Sequence, residues 1–115
     1  MGRIRPQTYP LVIPQRATFE EDLQFTADGV PVNLTGYTLL AQVWNSESRS
    51  TKIIDLTVTY VNRLQGLFQL SLTRSQTRGL TGGGVWDLLV IEPSTKADYW
   101  LEGTVSVDIG LTDDQ

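Results

Sequence analysis

The chain has 115 residues, a formal net charge of −4, and neither cysteine nor histidine. This length suits one domain with a single core. Without cysteine and histidine the sequence excludes disulfides and thiolate metal sites, and it lacks the usual general base and zinc ligand. The acidic balance argues against a nucleic-acid binder, and the apolar runs are too short for a membrane span or a secretory signal.

Charge is distributed unevenly along the chain. The first sixteen residues carry three arginines and no acidic side chain (Arg3, Arg5, Arg16). Residues 102–115 carry four acidic side chains and no basic one (Glu102, Asp108, Asp113, Asp114). This pattern suits head-to-tail contacts between copies, or contacts with differently charged neighbours. The alternative is two solvated termini.

Residues 1–15 are predicted to form an extended N-terminal arm. Prolines at positions 6, 10 and 14 prevent a helix and allow only one side of such a strand to pair. The arm is too apolar for a disordered tail, so we expect it to dock on its own sheet edge or on a neighbouring subunit. Deletion of residues 1–14 is expected to leave a folded domain. The predicted partner-binding residues of the arm are Arg3, Ile4, Arg5, Tyr9, Leu11, Val12 and Ile13.

Six segments alternate apolar and polar residues as strands do: 17–25, 37–45, 52–60, 67–72, 85–91 and 99–109. Segments 52–60 and 67–72 are predicted to pair as a β-hairpin, and the very apolar 85–91 is expected in mid-sheet. The connection 28–37 contains two turn dipeptides around Val32 and Leu34, which predicts an ordered, partly buried link.

One short helix is predicted at about residues 73–79, because Thr73 and Gln76 fit a capping box. We expect it to cross between two sheets. The glycines at 82–84 precede a strand and lack the lysine of a phosphate-binding loop, so we predict no phosphate site there.

The last strand is predicted to alternate strictly, with Tyr99 and Leu101 facing inward and Trp100 outward. Gly103 would mark a bulge or a close approach of another backbone. Trp44 and Trp100 lie off the main core parity and are predicted to bind a partner, unless they cover a second small core.

The predicted fold is all-β: an antiparallel immunoglobulin-like β-sandwich with one short helix and an extended N-terminal arm. The sandwich would span residues 16–110, with an acidic tail at 111–115.

Four stretches give the chain a further likeness: ATFEEDLQF, DGVPVNLTGY, QGLFQLSLTRSQTRGL, and GGVWDLLVIEPS with YWLEGTVSV. In this order and spacing they resemble the small immunoglobulin-like modules of tailed-phage virion proteins, such as the N-terminal domains of baseplate upper proteins. The likeness covers residues 17–109 and excludes the arm. It implies a structural role with no catalytic residues.

The expected function is therefore that of a virion structural or adaptor protein in the tail, baseplate or fibre attachment. It would contact copies of itself and other virion proteins, after assembly in the host cytoplasm. A capsid decoration protein is the alternative, and a carbohydrate-binding module that uses Tyr99 and Trp100, with Trp44, is the second. An enzyme is not expected, since the carboxylates are scattered on polar strand faces. No cofactor, metal, nucleic acid or membrane is expected as a partner.

Overall fold

The computed structural model describes residues 6–46 and 51–112. Strands dominate this part of the chain. They are β1 (Gln7–Thr8), β2 (Leu11–Pro14), β3 (Phe19–Gln24), β4 (Thr26–Ala27), β5 (Val30–Pro31), β6 (Thr38–Trp44), β7 (Lys52–Asn62), β8 (Leu67–Leu72), β9 (Gly84–Ile91) and β10 (Ala97–Asp108). A 3-10 turn (Arg63–Gln65) precedes β8, and one helix, α1 (Arg74–Arg78), follows it. No helix within these ranges is long and apolar enough to cross a membrane.

The long strand β7 connects the two layers of the sandwich. Its residues from Lys52 to Leu56 pair antiparallel with β6, and those from Thr57 to Asn62 pair antiparallel with β8. The front sheet therefore consists of β1 and β2, β10, β9, β6 and the first half of β7. The back sheet consists of the second half of β7, β8 and β3. The predicted hairpin of β7 with β8 and the central place of β9 are both observed.

Both sheets contribute alternate apolar residues to one core. On β6 and β9 the buried residues are those of the predicted parity, Leu39, Ala41 and Val43 on one and Trp86, Leu88 and Val90 on the other. On β8 the side chains of Phe68, Leu70 and Leu72 are at most 1% exposed. The all-β, immunoglobulin-like sandwich predicted from the alternation is the fold observed.

The arm docks on its own front sheet. β1 and β2 run parallel to β10 and keep one register, from Gln7 opposite Leu101 to Pro14 opposite Asp108. The amide of Tyr9 donates to the carbonyl of Glu102 at 2.7 Å. The arm is thus an added parallel edge on an otherwise antiparallel arrangement.

Two prolines keep the outer side of this edge from pairing further. The amides of Tyr9 and Gln15 point to β10, so residues of the other parity, including Pro10 and Pro14, turn their nitrogens away from it. Proline has no N–H to offer an additional strand there.

Removal of residues 1–14 was expected to leave the fold intact, but this expectation is wrong because the segment contributes two side chains to the core. Leu11 is 1% exposed and Ile13 is fully buried, and both belong to the core. A truncation at residue 14 would remove these two side chains and expose the strand β10 that they cover.

The predicted capping box is present at the start of α1. Thr73 accepts from the amide of Gln76 at 3.2 Å, and the Gln76 side chain accepts from the amide of Thr73 at 2.8 Å. The fully buried hydroxyl of Thr77 lies 2.7 Å from the carbonyl oxygen of Ala17. As predicted, α1 connects the back sheet to the front sheet.

The connection 28–37 is ordered by turns and by one distant arginine. Asp28 and Gly29 have φ values of 53° and 78°, which close the small hairpin of β4 and β5. Beyond it, Leu34 is fully buried. The Arg63 guanidinium donates to the carbonyl oxygens of Leu34 at 3.1 Å and Tyr37 at 2.8 Å. It also stacks 3.6 Å from the centre of the Tyr60 ring.

Candidate functional site

The outer face of the front sheet forms a concave surface of about 520 Å³. We call it the front concavity. Its lining includes Thr8, Leu40, Gln42, Trp44, Val85, Asp87, Leu89, Tyr99, Glu102 and Thr104. Along β6 and β9 these side chains alternate with the core residues. They therefore point away from the core, on the outer face of the sheet.

Strand register orders this surface into rows. The first row is apolar, because Leu89 of β9 lies opposite Leu40 of β6 on one side and opposite Tyr99 of β10 on the other. Leu40 is 50% exposed and Tyr99 is 40% exposed. Exposed apolar side chains grouped on one sheet face are typical of interaction surfaces.

The second row is polar and acidic. Asp87 lies opposite Glu102 on one side and opposite Gln42 on the other. Thr8 of the arm continues the row beyond Glu102, and Asp55 of β7 continues it beyond Gln42. Thus the register brings carboxylates from three different strands into line across the sheet.

Asp55, at the end of this row, already has a cationic neighbour. The ammonium of Lys52 lies 3.0 Å from its carboxylate, and this hydrogen bond lowers the pKa of Asp55 below its usual value. Both side chains are largely exposed, so the pair contributes little to stability.

The third row contains Trp44. This residue and Thr104 lie opposite Val85 from the two neighbouring strands. The indole nitrogen of Trp44 donates to the side-chain oxygen of Gln42 at 3.1 Å, which ties the third row to the polar one. The prediction that Trp44 lies off the core parity agrees with this position.

Trp100 is placed differently from the prediction. The register shifts between Tyr99 and Leu101, so that Tyr99 lies opposite Leu89 whereas Leu101 lies opposite Leu88. This β-bulge reverses the alternation, so Tyr99 faces outward and Trp100 turns toward the core. Trp100 packs edge-on against Phe25, with ring centroids 4.9 Å apart, and against Tyr37 at 6.2 Å. Of the two roles predicted for Trp100, the geometry therefore supports covering part of the core and not binding a partner.

The arm residues predicted to bind a partner divide by parity. Leu11 and Ile13 are buried in the domain's own core, so a partner cannot contact their side chains. Val12 is 61% exposed and lies outside the front concavity. Tyr9 is half-buried, and its hydroxyl donates to the carboxylate of Glu21 at 2.5 Å. Arg3, Ile4 and Arg5 lie outside the described residues.

The bond to Glu21 affects the ionisation of Tyr9. The hydrogen bond to the carboxylate, followed by burial and by the negative charge itself, raises the pKa of Tyr9 to about 12. This contact joins the arm to β3 of the back sheet, so the residue serves the fold of the domain.

Sequence reasoning missed several residues of the front concavity as candidates. Leu40, Leu89, Asp87 and Glu102 line the concavity, but none of them was predicted to bind a partner. One pattern that points to them is that β6 and β9 carry apolar residues at both parities, which a strand with one wet face does not need.

The described residues 6–46 and 51–112 contain no group of three or more acidic side chains placed to hold a metal ion. Asp87 and Glu102 are cross-strand neighbours, but two carboxylates are fewer than such a group requires. The chemistry that this surface offers is contact: apolar packing, aromatic stacking and charge.

Comparisons with known proteins concern the fold. No family model and no curated protein matches the sequence. The structure is similar to one of ICOS in complex with ICOS-L and an anti-ICOS-L VNAR domain, with a TM-score of 0.53 at 14% identity. The match covers 91% of this chain and 56% of that chain, so this chain spans little more than half its length.

Two further structures match less well. The ZIG-8–RIG-5 IG1–IG1 heterodimer gives a TM-score of 0.49 at 8% identity, over 94% of this chain and 90% of that one. The extracellular domain of the voltage-gated sodium channel beta4 subunit, solved as parallel homodimers, gives 0.43 at 13% identity, over 96% and 99%. Together with the strand order, the first match defines the class: this chain is an immunoglobulin-like β-sandwich domain. None of the three is a phage virion protein.

Proposed function

We propose that the protein is a non-catalytic structural module that joins other proteins in a larger assembly through the front concavity. The observation that carries this proposal is the row of Leu40, Leu89 and Tyr99, an apolar strip left outward by a sheet whose other face is fully packed. A protein partner that covers this strip removes apolar surface from water.

The assembly that we propose is the virion of a tailed phage, in its tail, baseplate or fibre attachment. This part of the proposal rests on the resemblance of residues 17–109 to the immunoglobulin-like modules of such virions. The closed core, the proline-blocked edge and the short connections suit a rigid spacer between larger parts. Decoration of the capsid is the alternative location.

A non-catalytic role is supported by the chemistry of the side chains. The sequence has no histidine or cysteine to act as base or nucleophile. Immunoglobulin-like sandwiches display surfaces and loops, and the fold does not bring its own catalytic site.

The test is incorporation into particles. Leu40→Asp places a charge in the apolar row, whereas Leu64→Asp makes the same change at a residue that is 63% exposed and does not line the front concavity. In cells that produce the phage, we expect Leu40→Asp to lower the amount of the protein in purified particles at least tenfold, measured by quantitative mass spectrometry. Leu64→Asp should remain near the wild-type level. Equal incorporation of both variants, or absence of the wild-type protein from particles, would contradict the proposal.

Location within the particle requires a second measurement. Immunogold labelling of intact particles should mark the tail end in the favoured proposal and the capsid surface in the alternative.

A carbohydrate-binding module stays the second candidate for one specific reason. Trp44 and Tyr99, and not Tyr99 with Trp100, line the same concavity beside the polar side chains of Gln42, Asp87 and Glu102. Aromatic faces beside hydrogen-bonding groups suit a sugar ring. Glycan-array binding that is lost in Trp44→Ala, while incorporation into particles persists, would favour this function.

A further inference from the structure

We propose that two copies of the chain exchange their arms, so that residues 6–14 of one copy pair with β10 of the other. The structure shows the closed arrangement, in which the arm lies on its own domain. Exchange keeps the contacts between arm and domain but makes them between two copies. This inference goes beyond the proposed function, because its partner is a second copy and it does not depend on what the front concavity binds.

The contacts that hold the arm join it to distant parts of the chain. Its strands β1 and β2 pair with β10. The indole of Trp86 donates to the carbonyl oxygen of Tyr9, and Leu11 and Ile13 belong to the core. These contacts do not require that arm and domain belong to one chain, because the backbone joins the two only through residues 15–18. The arm of a second copy therefore fits the same place.

The hinge for this exchange is the connection between β2 and β3. It consists of residues 15–18 and leads from the front sheet to the back sheet. Arg16 within it has a φ of 64°, in the left-handed region where residues other than glycine are strained. Short hinges under strain favour domain swapping, because an extended hinge releases the strain while the swapped copies recover the same contacts.

Hydrogen bonds hold the hinge in its closed form. The Arg16 guanidinium donates to the carbonyl oxygen of Ile109 at 2.8 Å, and the Thr77 hydroxyl donates to the carbonyl oxygen of Ala17 at 2.7 Å. Residue 16 thus acts on the exchange equilibrium in two ways, through its strained backbone and through its side chain. Substitutions that remove the side chain alike but differ in backbone freedom separate the two effects.

Two prolines suit the arm to move as one extended strand. Pro10 and Pro14 each fix φ at about −65°, so a detached arm keeps much of its extended form and loses less entropy when it docks again. Neither has an N–H on the outer side of the docked arm. A further strand therefore gains little by adding to this edge after exchange.

The arm's place on the domain is unfavourable when it is empty. Departure of Leu11 and Ile13 leaves a cavity in the core, and it exposes the edge of β10. The departure of one arm is therefore coupled to the arrival of another. The stable products are the closed monomer and the dimer with reciprocally exchanged arms.

Introduced cysteines test the exchange on the full chain, which has no cysteine of its own. Val12 of β2 and Ser106 of β10 are exposed and lie opposite each other. Val12→Cys and Ser106→Cys are placed in separate chains, which are mixed in urea, refolded together and oxidised. Because each chain carries one cysteine, a disulfide between positions 12 and 106 joins two different copies. In the control mixture the second chain carries Thr59→Cys, at an exposed residue of the back sheet.

Mass spectrometry of the linked peptides measures both disulfides. We expect the link between positions 12 and 106 to exceed the link between positions 12 and 59 at least tenfold. Its yield should rise with the protein concentration during refolding, because exchange needs two copies. Equal amounts of the two links at every concentration would overturn the proposal.

Substitutions at position 16 test the strain in the hinge. Arg16→Gly and Arg16→Val both remove the guanidinium, but glycine adopts a positive φ freely and β-branched valine resists it. After refolding at equal concentration, size-exclusion chromatography with light scattering should find at least fivefold more dimer in Arg16→Val than in Arg16→Gly. Circular dichroism establishes that both variants fold, and the cysteine experiment decides if one does not. Equal dimer fractions in the two folded variants would contradict the exchange.

Discussion

The indole nitrogen of Trp86 donates a 2.7 Å hydrogen bond to the carbonyl oxygen of Tyr9, and so joins the centre of the front sheet to the arm. Trp86 is only 2% exposed, so this bond satisfies a polar group that burial would otherwise leave without a partner. The amide of Tyr9 donates to Glu102, and its hydroxyl donates to Glu21. Residue 9 is thus bound through its amide, its carbonyl and its side chain, which makes the arm part of the domain.

Ile13→Ala is expected to destabilise the domain strongly. Ile13 is fully buried, so truncation creates a cavity and removes apolar contacts, at a cost of roughly 2–5 kcal/mol in the free energy of unfolding. Its neighbour Val12 is 61% exposed, and Val12→Ala should change the same quantity by less than about 0.5 kcal/mol. Urea unfolding of both variants measures the difference. Similar stabilities would mean that β2 does not cover the core in solution.

Gly103→Ala is expected to disturb the contact between β10 and the arm. A Cβ at Gly103 would lie 2.4 Å from the carbonyl oxygen of Tyr9, which is backbone and cannot rotate away. We expect a loss of roughly 1–3 kcal/mol in the free energy of unfolding, because β10 and the arm must separate. Gly82→Ala is the control, since nothing lies within 4 Å of its added Cβ. Thermal unfolding compares the two, and equal midpoints would argue against the close approach.

Much of the sandwich follows from alternation along the sequence. The inward residues of β6, β8 and β9 were predicted because period-two patterns fix which side chains share a face. The capping box of Thr73 and Gln76 was predicted for a similarly local reason, since its two hydrogen bonds lie within one turn. Gly103 was predicted to mark a bulge or a close approach, and a close approach to Tyr9 and Pro10 is what the structure shows.

What sequence could not provide depends on contacts between distant segments. The bulge at Trp100 changes the facing of Tyr99 and Trp100 but leaves the alternation from Leu101 onward as predicted, and the Trp100 ring packs against Phe25 and Tyr37. The parallel pairing of the arm with β10 joins residues more than 90 positions apart. The rows of the front concavity likewise need the register of β6, β9 and β10, which no single strand encodes.

Arg63 is another residue whose contacts with a distant segment could not be predicted from the sequence, and its role can be tested. Arg63→Met removes two hydrogen bonds to the backbone of residues 34 and 37 and the stacking on Tyr60. Because Leu34 is buried, its carbonyl would lose a partner, and we expect a loss of about 2 kcal/mol in the free energy of unfolding. Lys96→Met is a control at an exposed residue and should change stability by less than about 0.5 kcal/mol.

Amide hydrogen exchange locates the effect of Arg63→Met. Exchange should accelerate at Tyr37, whose amide donates to the carbonyl of Leu34, more than in the core strand β9. An unchanged exchange rate at Tyr37, together with wild-type stability, would show that the arginine does not hold the connection 28–37 in place.

The hydrogen bond from Tyr9 to Glu21 contributes stability that the domain loses at alkaline pH. The folded protein raises the pKa of Tyr9 from 10.0 to about 12, so folding favours the protonated phenol. The contribution is therefore fully present below pH 10 and is lost as pH rises through about 12. Tyr9→Phe removes the hydroxyl, which should lower the free energy of unfolding at neutral pH by about 1 kcal/mol. It should also flatten the decline between pH 10 and 12. Urea unfolding at pH 8, 10 and 11 measures both effects, with Tyr99→Phe as the control for an exposed tyrosine. An equally steep decline in Tyr9→Phe and wild type would assign the alkaline loss to other groups.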